Sequence, residues 1–184
     1  MMDAALLVMD VQDAIVARFG PAEEYLGRLR SAIAAARGAH IPVIYVRVAF
    51  RPGFPEVSPR NRSFAAIKQR SAALASGSIH PAVAPEVGDV VVTKLRVSAF
   101  SGSDLEVLLR AQGIRTLVLS GIATSGVVLS TLREAADRDY GLVVLSDGCL
   151  DADAEVHRVL TEKIFPRQAD VMSVEEWVRQ LQQG

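Results

Sequence analysis

Residues 116–146 read TLVLSGIATSGVVLSTLREAADRDYGLVVLS. Two short runs, Thr116–Ser120 and Leu142–Ser146, are almost uniformly apolar. Between them Gly126–Arg138 has helical period. A strand that alternates apolar and polar residues shows one face to water, whereas a uniformly apolar one is covered on both faces, as in a parallel sheet. The stretch is therefore read as strand, helix, strand, with the helix as the crossover of a parallel pair.

The same pattern extends in both directions. Ala4–Val8, Val43–Val48 and Asp89–Thr93 are further apolar runs, and Ala169–Met172 is a weaker sixth. Helical segments lie between them. Tyr25–Arg37 places Leu26, Leu29, Ile33 and Ala36 on one face. Ser103–Gln112 opens on a Ser-Asp start signal and stops before Gly113. Asp153–Ile164 and Val174–Gln182 complete the set. This alternation predicts an α/β fold with a doubly wound, Rossmann-like sheet in a single domain spanning 1–184. The exception is Ala49–Ser63, AFRPGFPEVSPRNRS, with three prolines and three arginines directly after a strand. A loop of that length in a small domain is usually functional or disordered. Its place at a strand's carboxyl end favours a lid or pocket wall.

Composition narrows the classes of function. The chain has 184 residues, 50% of them hydrophobic, with 20 basic and 21 acidic side chains. No block of like charge offers a nucleic-acid or membrane-binding arm. No apolar stretch approaches the roughly 18–20 residues that span a bilayer, and the first residues lack the basic start of a signal peptide. A cytoplasmic protein acting on a small molecule is expected. The single cysteine, Cys149, excludes an internal disulfide. His40, His80 and His157 lie in separate elements without ligand spacing, so neither a metal nor another cofactor is expected.

In an open parallel sheet, ligands bind beyond the carboxyl ends of the strands. That rule selects Asp10 in LLVMDVQ, Lys94 in TKLRVSAF, the turn SGIATSG and the segment LSDGCLD. Asp10 taken alone more often caps a turn or pairs with a basic neighbour, and Lys94 alone is most often a surface residue. Together they form an acid and a base at strand ends, a pairing suited to tuning pKa values for proton transfer.

These four segments, in this order and spacing, resemble the signature segments of the isochorismatase-like hydrolases, which include nicotinamidases, isochorismatases and other amidohydrolases. The resemblance runs from Ala5 to about Trp177. It implies a three-layer αβα fold with six mostly parallel strands. It implies that Asp10 is the general base and that Lys94 assists it and stabilises charge. The family's nucleophilic cysteine falls at Val127, counting from Gly121 through Ile122, Ala123, Thr124, Ser125 and Gly126. Valine cannot attack a carbonyl. The resemblance also implies a cis peptide between Ile122 and Ala123, and substrate-binding backbone N–H groups across residues 122–126. The histidine-rich metal motif of nicotinamidases has no counterpart in FRPGFPEVSPRNRS. Members of the family are usually homo-oligomers, so a dimer or tetramer is expected.

The remaining assignments come from the residues themselves. Arg47 and Arg51 can clamp a carboxylate or can be ordinary surface charge. Ser125 is expected to cap the following helix rather than to attack substrate. Cys149 is expected to be a small buried hydrophobe. Three functions stay open: a hydrolase without a covalent intermediate, as in family members that cleave a vinyl ether; a catalytically silent ligand-binding protein; and an amidohydrolase with a substitute nucleophile.

Overall fold

A computed structural model of the chain describes residues 3–20, 22–70 and 77–183. Its strands are β1 (Ala4–Met9), β2 (Val43–Val48), β3 (Val90–Lys94), β4 (Thr116–Ile122), β5 (Gly141–Leu150) and β6 (Asp170–Met172). They form one sheet in the order β3-β2-β1-β4-β5-β6, and every neighbouring pair is parallel. The helices are α1 (Asp13–Val16), α2 (Glu23–Gly38), α3 (Arg62–Arg70), α4 (Leu105–Ala111), α5 (Leu129–Ala136), α6 (Ala154–Val159) and α7 (Val174–Gln183).

Successive side chains of a strand point to opposite faces, and each face here builds its own core. On one side Leu6 and Val8 of β1, Tyr45 of β2 and Val118 of β4 pack under Leu29 and Ile33 of α2 and Trp177 of α7. On the other, Ala5, Leu7 and Met9 meet Ile44, Val46, Leu117 and Leu119 under Leu105 and Leu109 of α4 and Leu132 of α5. This is a three-layer αβα arrangement, and it explains why the strands lack alternating polarity. Among the described residues no helix is long and apolar enough to cross a membrane.

The strand order locates a crevice. From β1 the chain winds to β2 and β3 on one side, then returns to lay β4, β5 and β6 on the other. The two halves diverge between β1 and β4, and loops leaving a sheet in opposite directions open a ligand-sized gap. β1 ends there at Met9, just before Asp10, and β4 ends at Ile122.

Two helix expectations need correction. The helix read as Gly126–Arg138 begins only at Leu129. Thr124–Val128 forms a wider π turn in which Gly126 has φ −100° and ψ −105°. The amides of Gly126 and Val128 both donate to the Ala123 carbonyl, at 3.0 and 3.3 Å, which holds the chain off the α-helical register. Ser125 does not cap this helix: its side chain is exposed and the turn has no side-chain cap. Likewise Asp153–Ile164 divides into α6 and a π turn, Leu160–Ile164. β5 runs past Ser146 because it bulges. Leu119 pairs with Val144 but Gly121 pairs with Cys149, so four residues of β5 have no partner on β4.

Candidate active site

Asp10 follows β1 directly. Its backbone is left-handed, φ +56°, with its N–H donated to the Val46 carbonyl at 2.8 Å. Aspartate is one of the few side chains that tolerate this conformation. Lys94 ends β3, two strands away across β2. Neighbouring strands are about 4.8 Å apart, so only a long side chain can bridge that distance. It does so: Lys94 Nζ lies 2.9 Å from Asp10 Oδ2. Lys94 is 2% exposed and Asp10 6%.

The surroundings divide the pair's roles. Lys94 Nζ also donates to the carbonyls of Arg96 (2.9 Å) and Val97 (3.1 Å). An ammonium has three hydrogens, and all three are thus directed at acceptors inside the protein. Asp10 Oδ2 is fixed by the lysine, while Oδ1 is buried without a hydrogen-bond partner among the described residues. A buried, unpaired carboxylate oxygen is costly unless something else pairs with it. Burial pushes the Asp10 carboxyl above the usual aspartate range, with Lys94 pulling against it.

The turn after β4 faces the same gap. The Ile122–Ala123 peptide is cis. The amide of Ser125 donates to Asp151 Oδ2 at 2.6 Å, and those of Gly126 and Val128 are taken by Ala123 as described. Three of the turn's donors are therefore spent within the protein. Thr124 is fully buried, and its hydroxyl lies 2.8 Å from His157 Nδ1 on α6.

Val127 is 2% exposed and sits in the same apolar cluster as Met9, the residue before Asp10, and Val92, two residues before Lys94. Cys149 is buried in that cluster too, and its thiol faces the Leu119 carbonyl, 3.9 Å away. Burial pushes the thiol up to about 12. A thiol that cannot ionise is a poor nucleophile.

An isochorismatase domain model matches residues 4–176. The chain belongs to the isochorismatase-like hydrolases. It is similar to YecD, an isochorismatase family protein of Escherichia coli O157:H7, at 36% identity over 183 residues, covering 94% of this chain and 93% of that protein. It is similar to the ureidoacrylate amidohydrolase RutB of Methylobacterium radiotolerans at 34% identity over 199 residues, covering 92% and 77%. Among solved structures, the N-carbamoylsarcosine amidase of Thermoplasma acidophilum superposes with a TM-score of 0.75 at 27% identity, covering 95% and 98%.

Within this isochorismatase-like frame the two arginines lie apart from the acid-base pair. Arg47 is in register with Thr93, whose hydroxyl accepts from its Nε at 3.1 Å, and both alternate away from the face that carries Lys94. Arg51 is largely exposed and ion-paired with Glu56. The loop after β2 is not a solvated excursion. Phe50, Val57 and Phe64 pack with Val48 in a small cluster of their own, with the Phe50 and Phe54 rings 5.4 Å apart. Phe50, Arg51 and Glu56 line a hollow of about 370 Å³ with Thr93 and Leu95. His40, His80 and His157 remain apart, and no group of three metal-ligating side chains is found among the described residues.

Sequence reasoning assigned no role to Gln12, Asp151 or His157. Gln12 is 2% exposed; its side-chain amide takes both backbone groups of Val48, donating to the carbonyl at 3.1 Å and accepting the N–H at 2.8 Å. It ties the Asp10 loop to the start of the loop after β2. A glutamine two residues past a strand-end aspartate was the available signal. Nothing in sequence spacing links His157 to Thr124, 33 positions earlier.

Proposed function

We propose that this chain hydrolyses a C–N or C–O bond in a small polar substrate, with water as the nucleophile and no covalent enzyme intermediate. The observation that carries the reading is the buried Asp10–Lys94 pair with one carboxylate oxygen unpartnered. Lys94, its three hydrogens committed, holds Oδ2 and supplies fixed positive charge. Oδ1 is left to exchange a proton with substrate or water. Protonated, Asp10 delivers that proton to an enol-ether carbon or a leaving nitrogen; ionised, it takes one from water. In this reading a backbone N–H of the turn after β4, that of Val127, receives the developing negative charge, and a backbone donor works whatever side chain the residue carries. Val127 in place of the family's cysteine is what removes the covalent step. The burial and raised pKa of Cys149 argue against it as a substitute. The relatives that act on ureidoacrylate and N-carbamoylsarcosine make ureido and carbamoyl compounds natural first substrates.

A second reading is a silent ligand-binding member of the family. It is favoured by Val127 itself, which packs as a core residue where the resemblance places a nucleophile. A screen of isochorismate, nicotinamide, simple amides and N-carbamoyl compounds, run beside Val127→Cys, separates the two. Turnover by the native chain supports the non-covalent hydrolase. Turnover only in Val127→Cys, with ligand binding in both, supports the silent protein. A small-molecule ligand, a cytoplasmic location and a homo-oligomer belong to this proposal as well; a sedimentation mass of one chain at micromolar concentration removes the last.

A further inference from the structure

Two consecutive residues of the turn after β4 are gripped from outside it by one segment. Asp151, just past β5, accepts the Ser125 N–H at 2.6 Å, and His157, on α6, lies 2.8 Å from the Thr124 hydroxyl. The two contacts differ in kind. The Asp151 contact needs only a carboxylate. The His157 contact depends on which partner carries the hydrogen. Thr124 is fully buried, and among the described residues its hydroxyl meets the His157 Nδ1. A neutral ring that carries its hydrogen on Nε2 accepts at Nδ1 and leaves the threonine as donor. A protonated ring donates from that atom, and the threonine hydrogen then loses its acceptor inside the protein.

We propose that neutral His157 is a positioning residue for the Thr124–Val128 turn, and that its protonation loosens the turn. This rests on the reading that the turn receives substrate charge, because only then does its geometry matter to turnover. Asp10 and Lys94 take no part in the contact. Asp151 faces the ring from the end of β5 and favours the proton, whereas burial disfavours it more strongly. On its own helix Asp153 is engaged as the cap of the Glu155 and Val156 amides. Arg158 is paired with Glu155 and Glu162. The neutral ring, and with it the intact clamp, therefore extends to lower pH than for a histidine in water.

Amide and imidazole NMR of the full chain tests this between pH 4.5 and 8 without any substrate. The Thr124, Ser125 and Gly126 amides are expected to shift together with the His157 ring nitrogens, at one midpoint below the ordinary value of about 6.5. Asparagine can place an acceptor near Nδ1 without titrating. His157→Asn should keep the neutral-pH amide positions and abolish their pH dependence, whereas His157→Leu should displace them at every pH. Turn amides that ignore the His157 titration, or that titrate unchanged in His157→Asn, overturn the proposal. Failure of the catalytic reading would show elsewhere, as turnover that survives Asp10→Asn.

Discussion

Gly121 passes the end of β1 so closely that a Cβ on it would lie 2.1 Å from the carbonyl oxygen of Met9. Its φ of +138° is likewise one that only glycine adopts freely. This is the contact that closes the two halves of the sheet immediately below Asp10 and the turn. Gly121→Ala must therefore push β4 from β1 at the crevice. A loss of more than about 3 kcal/mol in urea unfolding is expected, in keeping with combined steric and backbone strain. Gly38→Ala is the control. It ends α2 with nothing within 4 Å of the added carbon, and a change within about 1 kcal/mol is expected there.

The fold was legible because the parallel sheet writes itself into composition: strands buried on both faces must be apolar throughout, and all six runs became strands within a few residues. Asp10 and Lys94 were legible from position, since each closes such a run. What escaped is what depends on backbone detail or on distant partners. Gly126 looked like a helix start and is a kink, because two amides sharing the Ala123 carbonyl outweigh the local helical pattern. Arg51 read as either a ligand clamp or ordinary surface charge, and its ion pair with Glu56, five residues on, was not legible in the spacing. Val127 drew notice through resemblance alone; its burial among core side chains is a property of packing that spacing does not carry.

Cys149 should be chemically inert in the folded protein. With its thiol pushed up to about 12, thiolate at pH 8 is about a thousandfold scarcer than for a free cysteine near 8.5. The side chain is also buried. A disulfide-exchange reagent should label it negligibly over an hour in buffer and fully in denaturant. Stoichiometric labelling of the native chain within minutes would revive it as a nucleophile.

Removing Lys94 should destabilise the protein in a pH-dependent way. The lysine lowers the Asp10 pKa against the larger, raising effect of burial. A carboxyl whose folded pKa lies above its unfolded value contributes stability at low pH and loses it as pH rises through the folded value. Lys94→Ala raises that folded value further. It should cost about 3–5 kcal/mol at pH 8, where a buried charge is stranded, and clearly less at pH 5. The cavity left by the side chain costs the same at both, so equal losses would show that Asp10 is not the stranded group.

The decisive variants concern Asp10. If Oδ1 is the atom that moves the proton, Asp10→Asn should abolish turnover in whichever assay the screen provides. Lys94→Ala should impair it strongly, because the carboxylate loses both its orientation and its charge partner. Cys149→Ala and Ser125→Ala should each stay within a few-fold, about 1 kcal/mol of barrier. The pH profile then assigns the proton's direction. Burial holds the Asp10 carboxyl above the ordinary range, so its titration falls nearer to assay conditions than a surface aspartate's. As the acid in ether cleavage it must be protonated, and kcat falls as pH rises through its pKa. As the base that activates water for amide hydrolysis it must be ionised, and kcat falls as pH drops through the same value. A Cys149→Ala variant that is dead while Asp10→Asn remains active would remove the carboxylate from the reaction altogether and return the lone thiol to it.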